Sequence, residues 1–179
     1  MMSQLTHRLA QVDDLAALRS LMSRAIAKLQ TDFLTPEQVR VSHLVMGLDT
    51  QLIVDQTYIL VESEERIVGC GGWSWRATLY GGDDSIIARE PAVLDPTKDA
   101  AKIRAMYTDP DFARRGIGRL VLDLCESAAR AAGFSRVEMM ATLAGEPLYR
   151  AVGYVAVEDV QSAPIDGICV PLRRMTKRI

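Results

Sequence analysis

Apolar residues recur at steps of three and four along two stretches of the chain, the spacing of one face of an α-helix. The first stretch begins at Asp13, where Asp13 or Asp14 can cap the helix, and continues to Leu29. The second covers 116–132 and is followed by Gly133, a residue that commonly ends helices. We therefore predict two amphipathic helices.

Two weaker patterns predict shorter helices. Thr35 and Pro36 are typical of a helix start and Gly47 suits its end, and 145–152 carries Pro147 in its first turn. Runs rich in β-branched and aromatic residues predict strands between the helices. These predicted strands cover 5–10, 57–62, 66–75, 101–108, 136–142, 154–160 and 168–179.

The order of these elements predicts one mixed sheet with helices on both faces. The polar link between 57–62 and 66–75 indicates an antiparallel hairpin, and the strand–helix–strand unit over 101–142 indicates a parallel pair with a right-handed crossover. Residues 76–98 have glycine, proline and scattered charge without a period. We expect a binding element or a mobile lid there. No linker divides the chain, so we predict a single domain over 1–179.

Composition argues against several classes of protein. The chain has 179 residues and a formal net charge of −2, which disfavours a nucleic-acid partner. Three scattered cysteines and two distant histidines indicate neither a disulfide framework nor a metal site. No stretch is apolar enough for a signal peptide or a membrane span, so we expect a cytoplasmic protein without a membrane partner.

The segment Arg114-Arg115-Gly116-Ile117-Gly118-Arg119 lies where a strand meets a helix. Unpaired N–H groups and a partial positive charge at a helix N-terminus suit phosphate. Gly118 is not followed by Lys-Ser/Thr, which excludes a P-loop, and Val121 stands where a dinucleotide fingerprint needs glycine or alanine. The segment alone leaves open an ordinary turn with a solvated arginine pair.

A wider motif resembles the GNAT superfamily of acyl-CoA-dependent N-acyltransferases. Its order is strand, Asp-Pro, aromatic, Arg-Arg-Gly-Ile-Gly, helix, Gly-Phe, strand and Leu-Tyr-x-x-x-Gly-Tyr. The matching residues are Met106-Tyr107-Thr108-Asp109-Pro110, Phe112, Arg114-Arg115-Gly116-Ile117-Gly118, Gly133-Phe134 and Leu148-Tyr149-Arg150-Ala151-Val152-Gly153-Tyr154. The resemblance implies an α/β (α+β) fold: a mixed, mostly antiparallel sheet of six to seven strands with a splayed parallel pair at its centre.

The resemblance also implies how acetyl-CoA would be held as co-substrate. The backbone N–H groups of Arg114, Arg115, Gly116, Ile117, Gly118 and Arg119 would hold the pyrophosphate. The pantetheine arm would pair with the bulged strand at Met106, Tyr107 and Thr108, where a backbone N–H would stabilise the oxyanion. Two positions depart from the family pattern: Ala113 replaces the usual glutamine or arginine, and Thr142 the usual asparagine.

Tyr149 matches the tyrosine that many family members direct at the coenzyme sulfur, where an O–H donor can protonate the departing thiolate. Packing of this tyrosine on the core is the alternative. No general base is singled out among the candidate carboxylates, and direct attack by the amine in a ternary complex is the expected route. Those carboxylates are Glu62, Asp83, Asp84, Asp109 and Glu138.

The acceptor is expected to be a primary amine of a small molecule or peptide. Trp73 and Trp75 lie two apart on a strand and share a face. Packing in the core or on the sheet surface accounts for the tryptophans, and the sharper alternative is an aromatic wall of the acceptor site that Tyr80 and the 76–98 loop complete. A non-catalytic acyl-CoA sensor of the same fold is the alternative function, and a homodimer is left open.

Overall fold

A seven-stranded sheet forms the centre of the protein in the computed structural model, which describes residues 4–179. The strands lie in the order β1-β2-β3-β4-β5-β7-β6, and β4–β5 is its one parallel pair within these residues. This confirms the predicted mixed, mostly antiparallel sheet. The strand bounds are Leu5–Leu9 (β1), Tyr58–Ser63 (β2), Arg66–Ser74 (β3), Ala101–Thr108 (β4), Arg136–Thr142 (β5), Val155–Gln161 (β6) and Pro171–Arg178 (β7).

Helices cover both faces of the sheet, as predicted. Their bounds are Leu15–Leu29 (α1), Pro36–Val45 (α2), Gln51–Val54 (α3), Ile117–Ala131 (α4) and Glu146–Ala151 (α5). Strand β2 shows the two layers, because Ile59 and Val61 pack with α4 while Tyr58 and Leu60 pack with α1. The sequence pattern missed α3, since a single turn is too short to establish a period.

Two helix starts differ in how they are capped. The hydroxyl oxygen of Thr35 accepts a hydrogen bond from the Gln38 N–H at 3.2 Å, which confirms it as the cap of α2. Asp14, one of the two residues predicted to cap α1, makes no side-chain hydrogen bond to that helix. Its carboxylate instead accepts from the Gln11 N–H at 2.7 Å. It therefore caps a 3₁₀ turn over Val12–Asp14 that precedes α1.

Strand β4 bulges and then separates from β5. Ala105 has a φ of +51°, and its register on β3 is interrupted between the pairs Cys70–Tyr107 and Gly72–Arg104. The ladder with β5 pairs only Ala101 with Val137 and Lys102 with Glu138. From 103 onwards, β4 therefore turns an unpaired edge towards a gap, as the splayed parallel pair implied.

The glycines of β3 let the neighbouring elements approach closely. A Cβ atom on Gly69 would overlap the Ile117 side chain, and one on Gly71 would overlap Met106. The first turn of α4 and the bulge of β4 can therefore both press onto β3. This contact fixes the segment between β4 and α4 above the gap in the sheet.

Candidate active site

A cavity of about 940 Å³ occupies the gap between β4 and β5. Its lining comes from β4, the start of α4, the end of β5, α5 and the ends of α1 and α2. It brings together most of the residues that the sequence singled out. These are Tyr80, Met106, Tyr107, Thr108, Arg114, Gly116, Ile117, Gly118, Arg119, Thr142 and Tyr149.

The loop between β4 and α4 presents a row of unpaired backbone N–H groups. Within the described chain, the N–H groups of residues 114–119 donate to no backbone acceptor, and the first bond of α4 runs from Leu120 N to Gly116 O at 3.0 Å. Arg114 and Gly116 both have positive φ, +61° and +81°. The loop therefore leaves its donors available for an anion at a helix N-terminus.

Asp109 holds the start of this loop through ion pairs and a backbone hydrogen bond. Its side chain is inaccessible to solvent, and its Oδ2 lies 2.6 Å from Arg66 Nη2 and 3.1 Å from Arg24 Nη2. Its Oδ1 accepts from the Asp111 N–H at 3.0 Å. Burial raises the pKa of the Asp109 carboxyl. The Asp111 and Arg66 hydrogen bonds and the Arg24 charge outweigh burial and hold the pKa below its ordinary 3.8.

We expect Asp109→Asn to lower the free energy of unfolding by about 2 kcal/mol at pH 7, because a charged hydrogen-bond acceptor is lost beside two arginines. The folded pKa of Asp109 is depressed, so its stabilisation is present above about pH 4 and is lost as the pH falls through the folded pKa. Urea unfolding of both proteins from pH 7 to pH 3 should show the difference shrinking at the acid end. A difference in unfolding free energy that stays constant over this range would contradict the depressed pKa of Asp109.

The three arginines of the loop have different surroundings. Arg114 and Arg119 line the cavity, whereas Arg115 does not. The Arg115 guanidinium instead lies over the Phe112 ring, 4.8 Å from its centroid. Ala113 also lines the cavity and offers no side-chain donor there. Positive side-chain charge at the loop end of the cavity, meaning residues 113–119, therefore comes from Arg114 and Arg119.

Tyr149 places a free hydroxyl in the cavity wall. The residue is 8% exposed, and its hydroxyl makes no hydrogen bond to residues 4–179. Its ring packs edge-on against Tyr154, with centroids 6.0 Å apart, and crosses Gly145, where a Cβ atom would lie 3.1 Å from the hydroxyl oxygen. Burial raises the pKa of Tyr149 to about 12, so the group is a proton donor at neutral pH.

The opposite part of the cavity, which we call the Arg104 end, is formed by Gln30, Met46, Tyr80, Arg104 and Tyr107. The Gly47 N–H donates to the Tyr107 hydroxyl oxygen at 3.0 Å, which ties the end of α2 to β4. Sequence reasoning missed Gln30 and Arg104. A charged residue inside the apolar strand 101–108 was the available signal for Arg104.

The two tryptophans lie outside the cavity. Trp73 is 7% exposed and packs edge-on against Trp75 and Phe134, with ring centroids 5.5 Å and 6.2 Å away. The shared face of Trp73 and Trp75 is as expected, but it belongs to the core layer under α4. Of the three aromatic residues considered for the acceptor wall, the structure brings Tyr80 alone to the cavity.

None of the carboxylates considered as a general base lines the cavity. Glu62 lies 2.8 Å from Arg8, and Glu138 is paired with Lys102 and Arg174. Among the described residues that line the cavity, Asp32 is the one carboxylate. It follows α1 in an irregular turn, where no pattern marks it.

Two of the three thiols are buried in the core. Burial raises the pKa of Cys70 to about 12, and it also raises that of Cys125. Neither thiol lines the cavity, so neither is placed or ionised for nucleophilic attack. Residues 4–179 contain no group of three His, Cys, Asp or Glu residues arranged for a metal ion. Within that range no helix is long and apolar enough to cross a bilayer.

Comparison with known proteins gives a family match. Residues 23–154 match the sequence model of the acetyltransferase (GNAT) family. A search of curated proteins finds no match.

Solved structures share the fold at low sequence identity. A GCN5-related N-acetyltransferase from Rhodopseudomonas palustris has a TM-score of 0.72 at 18% identity, covering 100% of this chain and 98% of that one. The PaiA N-acetyltransferase from Thermoplasma acidophilum, in complex with coenzyme A, has a TM-score of 0.66 at 14% identity, and the match covers 98% of this chain and 99% of that one. A ribosomal-protein-alanine N-acetyltransferase from Brucella melitensis has a TM-score of 0.65 at 17% identity, and the match covers 97% of this chain and 99% of that one.

Proposed function

The chain belongs to the GNAT acetyltransferase family, and from that premise we propose that residues 1–179 act as one N-acetyltransferase domain. It moves an acetyl group from acetyl-CoA to a primary amine of a small molecule or peptide. One observation carries the proposal: a single cavity joins the unpaired N–H groups of residues 114–119 to the unpaired hydroxyl of Tyr149.

The residues of the cavity fit coenzyme A. The N–H groups at the loop end suit the pyrophosphate, and the Arg114 and Arg119 guanidinium groups add charge for it. The unpaired edge of β4 at Met106, Tyr107 and Thr108 offers backbone groups to the amide-bearing pantetheine arm. Across the gap, the Thr142 oxygen accepts from the Gly145 N–H at 3.1 Å and keeps its own proton for donation.

Tyr149 and the backbone of β4 would divide the chemical work. The Tyr149 hydroxyl donates a proton towards the departing thiolate, and an N–H of the bulged strand stabilises the developing oxyanion. Direct attack by the amine is favoured because Cys70 and Cys125 are buried in the core and Cys169, which is partly exposed, does not line the cavity. Asp32, the carboxylate among the described cavity-lining residues, is our candidate for attracting the ammonium form of the acceptor.

Thiol release tests the proposal. Purified protein is mixed with acetyl-CoA and a panel of amines, and free coenzyme thiol is followed over time. Release that depends on an amine supports the enzyme. Tight coenzyme binding without amine-dependent release would instead support an acyl-CoA sensor. The enzyme is favoured because the family model that matches residues 23–154 is that of acetyltransferases.

We expect Arg114→Ala combined with Arg119→Ala to raise the Kd of coenzyme A about 30-fold and to flatten its dependence on salt, because two cations leave the cavity. Arg115→Ala is the matched control. It removes one positive charge from the adjacent position outside the cavity lining, so its Kd should stay within about threefold, well short of half of the double variant's loss in free energy. Calorimetric titrations at low and high salt measure the Kd and its salt dependence for both proteins. Equal losses of affinity in the two proteins would contradict the assignment of Arg114 and Arg119 to the coenzyme site.

A further inference from the structure

Arg104 is a buried cation in the cavity wall with donor capacity left over. Its side chain is 3% exposed. Nη1 donates to Asp49 Oδ2 at 2.9 Å, and Nη2 donates to the Gly81 carbonyl at 2.6 Å. The Nε–H meets no acceptor in residues 4–179. A guanidinium carries five N–H donors, so this one retains hydrogen-bonding capacity at the cavity surface.

Arg104 does not have its carboxylate partner to itself. Its partner Asp49 is shared, because Arg89 Nη2 lies 3.1 Å from Asp49 Oδ1, and that oxygen also accepts from the Gln51 N–H at 3.0 Å. The second nearby carboxylate, Asp83, is engaged by Arg89 and by Thr50. Burial lowers the pKa of Arg104 below its ordinary value despite the attraction of Asp49. A ligand carboxylate at the free Nε–H would oppose this effect of burial.

Two further donors at the Arg104 end have no acceptor. The Tyr107 oxygen accepts from Gly47, but its proton is given to no acceptor in the described chain. The Tyr80 hydroxyl likewise has no partner there, and Tyr80 adjoins Gly81, whose carbonyl binds Arg104. The surrounding wall is apolar, since Tyr80 packs against the buried cluster that contains Val45 and Leu172. One cation and two hydroxyl donors in an apolar wall suit a single carboxylate better than a phosphate.

We propose that the acceptor carries a carboxylate as well as its amine, and that Arg104, assisted by the Tyr80 and Tyr107 hydroxyls, binds that carboxylate. The substrate class is then an amino acid or an amine of similar form. The inference rests on the proposed function for the identity of the cavity. Arg104 lies before the bulge at Ala105, whereas the loop of residues 114–119 comes after the end of β4 at Thr108, so the carboxylate site is separate from the pyrophosphate site.

Calorimetry on the complex with coenzyme A tests this without requiring turnover. The probes are leucine and 3-methylbutylamine, which differ by the carboxylate. We expect leucine to bind at least about 10-fold more tightly. Arg104→Gln should abolish this preference. Asp49→Asn, the matched variant in the same ion pair, should preserve or increase it, because a competing carboxylate is removed.

A purely structural role for Arg104 predicts a different result. If Arg104 only held the loop at 81–89, both variants would weaken both ligands alike, and the inference would be overturned. Equal or weaker binding of leucine by the unmodified protein would overturn it as well. If Arg104→Gln fails to fold, the leucine preference of the unmodified protein and the Asp49→Asn result still decide whether this site binds a carboxylate. Absence of amine-dependent thiol release would contradict the proposed function, while a retained leucine preference would support the carboxylate site.

Discussion

Replacing Tyr149 with phenylalanine is expected to lower kcat about 100-fold, the low end of what a positioned proton donor contributes. The coenzyme Kd should change by less than about twofold, because the hydroxyl forms no hydrogen bond within residues 4–179 and the ring contact with Tyr154 is kept. With a pKa of about 12, Tyr149 stays protonated across the neutral range. The rate should therefore show no loss from its ionisation below about pH 10. Thiol release and calorimetry measure the two quantities.

Tyr154→Phe is the control for that experiment. It removes a hydroxyl from the ring that packs against Tyr149, but this hydroxyl donates to Glu126 Oε1 at 3.0 Å and does not face the cavity. We expect Tyr154→Phe to reduce stability and to leave kcat within about threefold. If both phenylalanine variants lose activity equally, the tyrosine acts through packing and the assignment to the thiolate fails.

Gly118→Val is expected to raise the Kd of coenzyme A about 100-fold, which corresponds to about 2.8 kcal/mol. A Cβ atom on Gly118 would lie 2.6 Å from Leu148 Cδ2 and 4.0 Å from Thr108 Oγ1. The valine methyl groups would therefore project from the first turn of α4 towards the cavity. They would obstruct the approach of the pyrophosphate to the N–H groups.

Ala131→Val is the matched control for Gly118→Val. It adds a β-branched side chain to the same helix at an exposed position at the far end of α4. It costs helix propensity, whereas Gly118→Val gains some, so any loss of affinity through the helix itself would be larger in the control. Ala131→Val should nevertheless leave the coenzyme Kd unchanged. Thermal unfolding checks that both proteins fold. An unaltered Kd in folded Gly118→Val would show that the coenzyme pyrophosphate does not bind at this loop.

Features encoded locally could be predicted from the sequence. The amphipathic pattern of Leu15–Leu29 and the spacing of Gly116 and Gly118 are properties of neighbouring residues, so helix and loop follow directly. The bulge at Ala105 and the separation of β4 from β5 came from the family resemblance. No residue type marks them, because a bulge depends on register against another strand.

Features set by contacts distant in sequence could not be predicted. Alternation places Trp73 and Trp75 on one face, but it does not say which layer covers that face, and the layer is the core under α4. Arg104 gains its partner Asp49 from 55 residues away. Asp32 and Gln30 reach the cavity only because α1 ends beside it. Charge compensation of this kind depends on tertiary structure.

The fate of the acetyl group tests the central claim most directly. Protein, isotope-labelled acetyl-CoA and an amine that supports thiol release are combined, and mass spectrometry locates the label. If the amine attacks acetyl-CoA directly, label is expected on the amine, in amounts equal to the thiol released, with none attached to the protein. Label on a cysteine, or label released only as acetate at a rate independent of the amine, would contradict it.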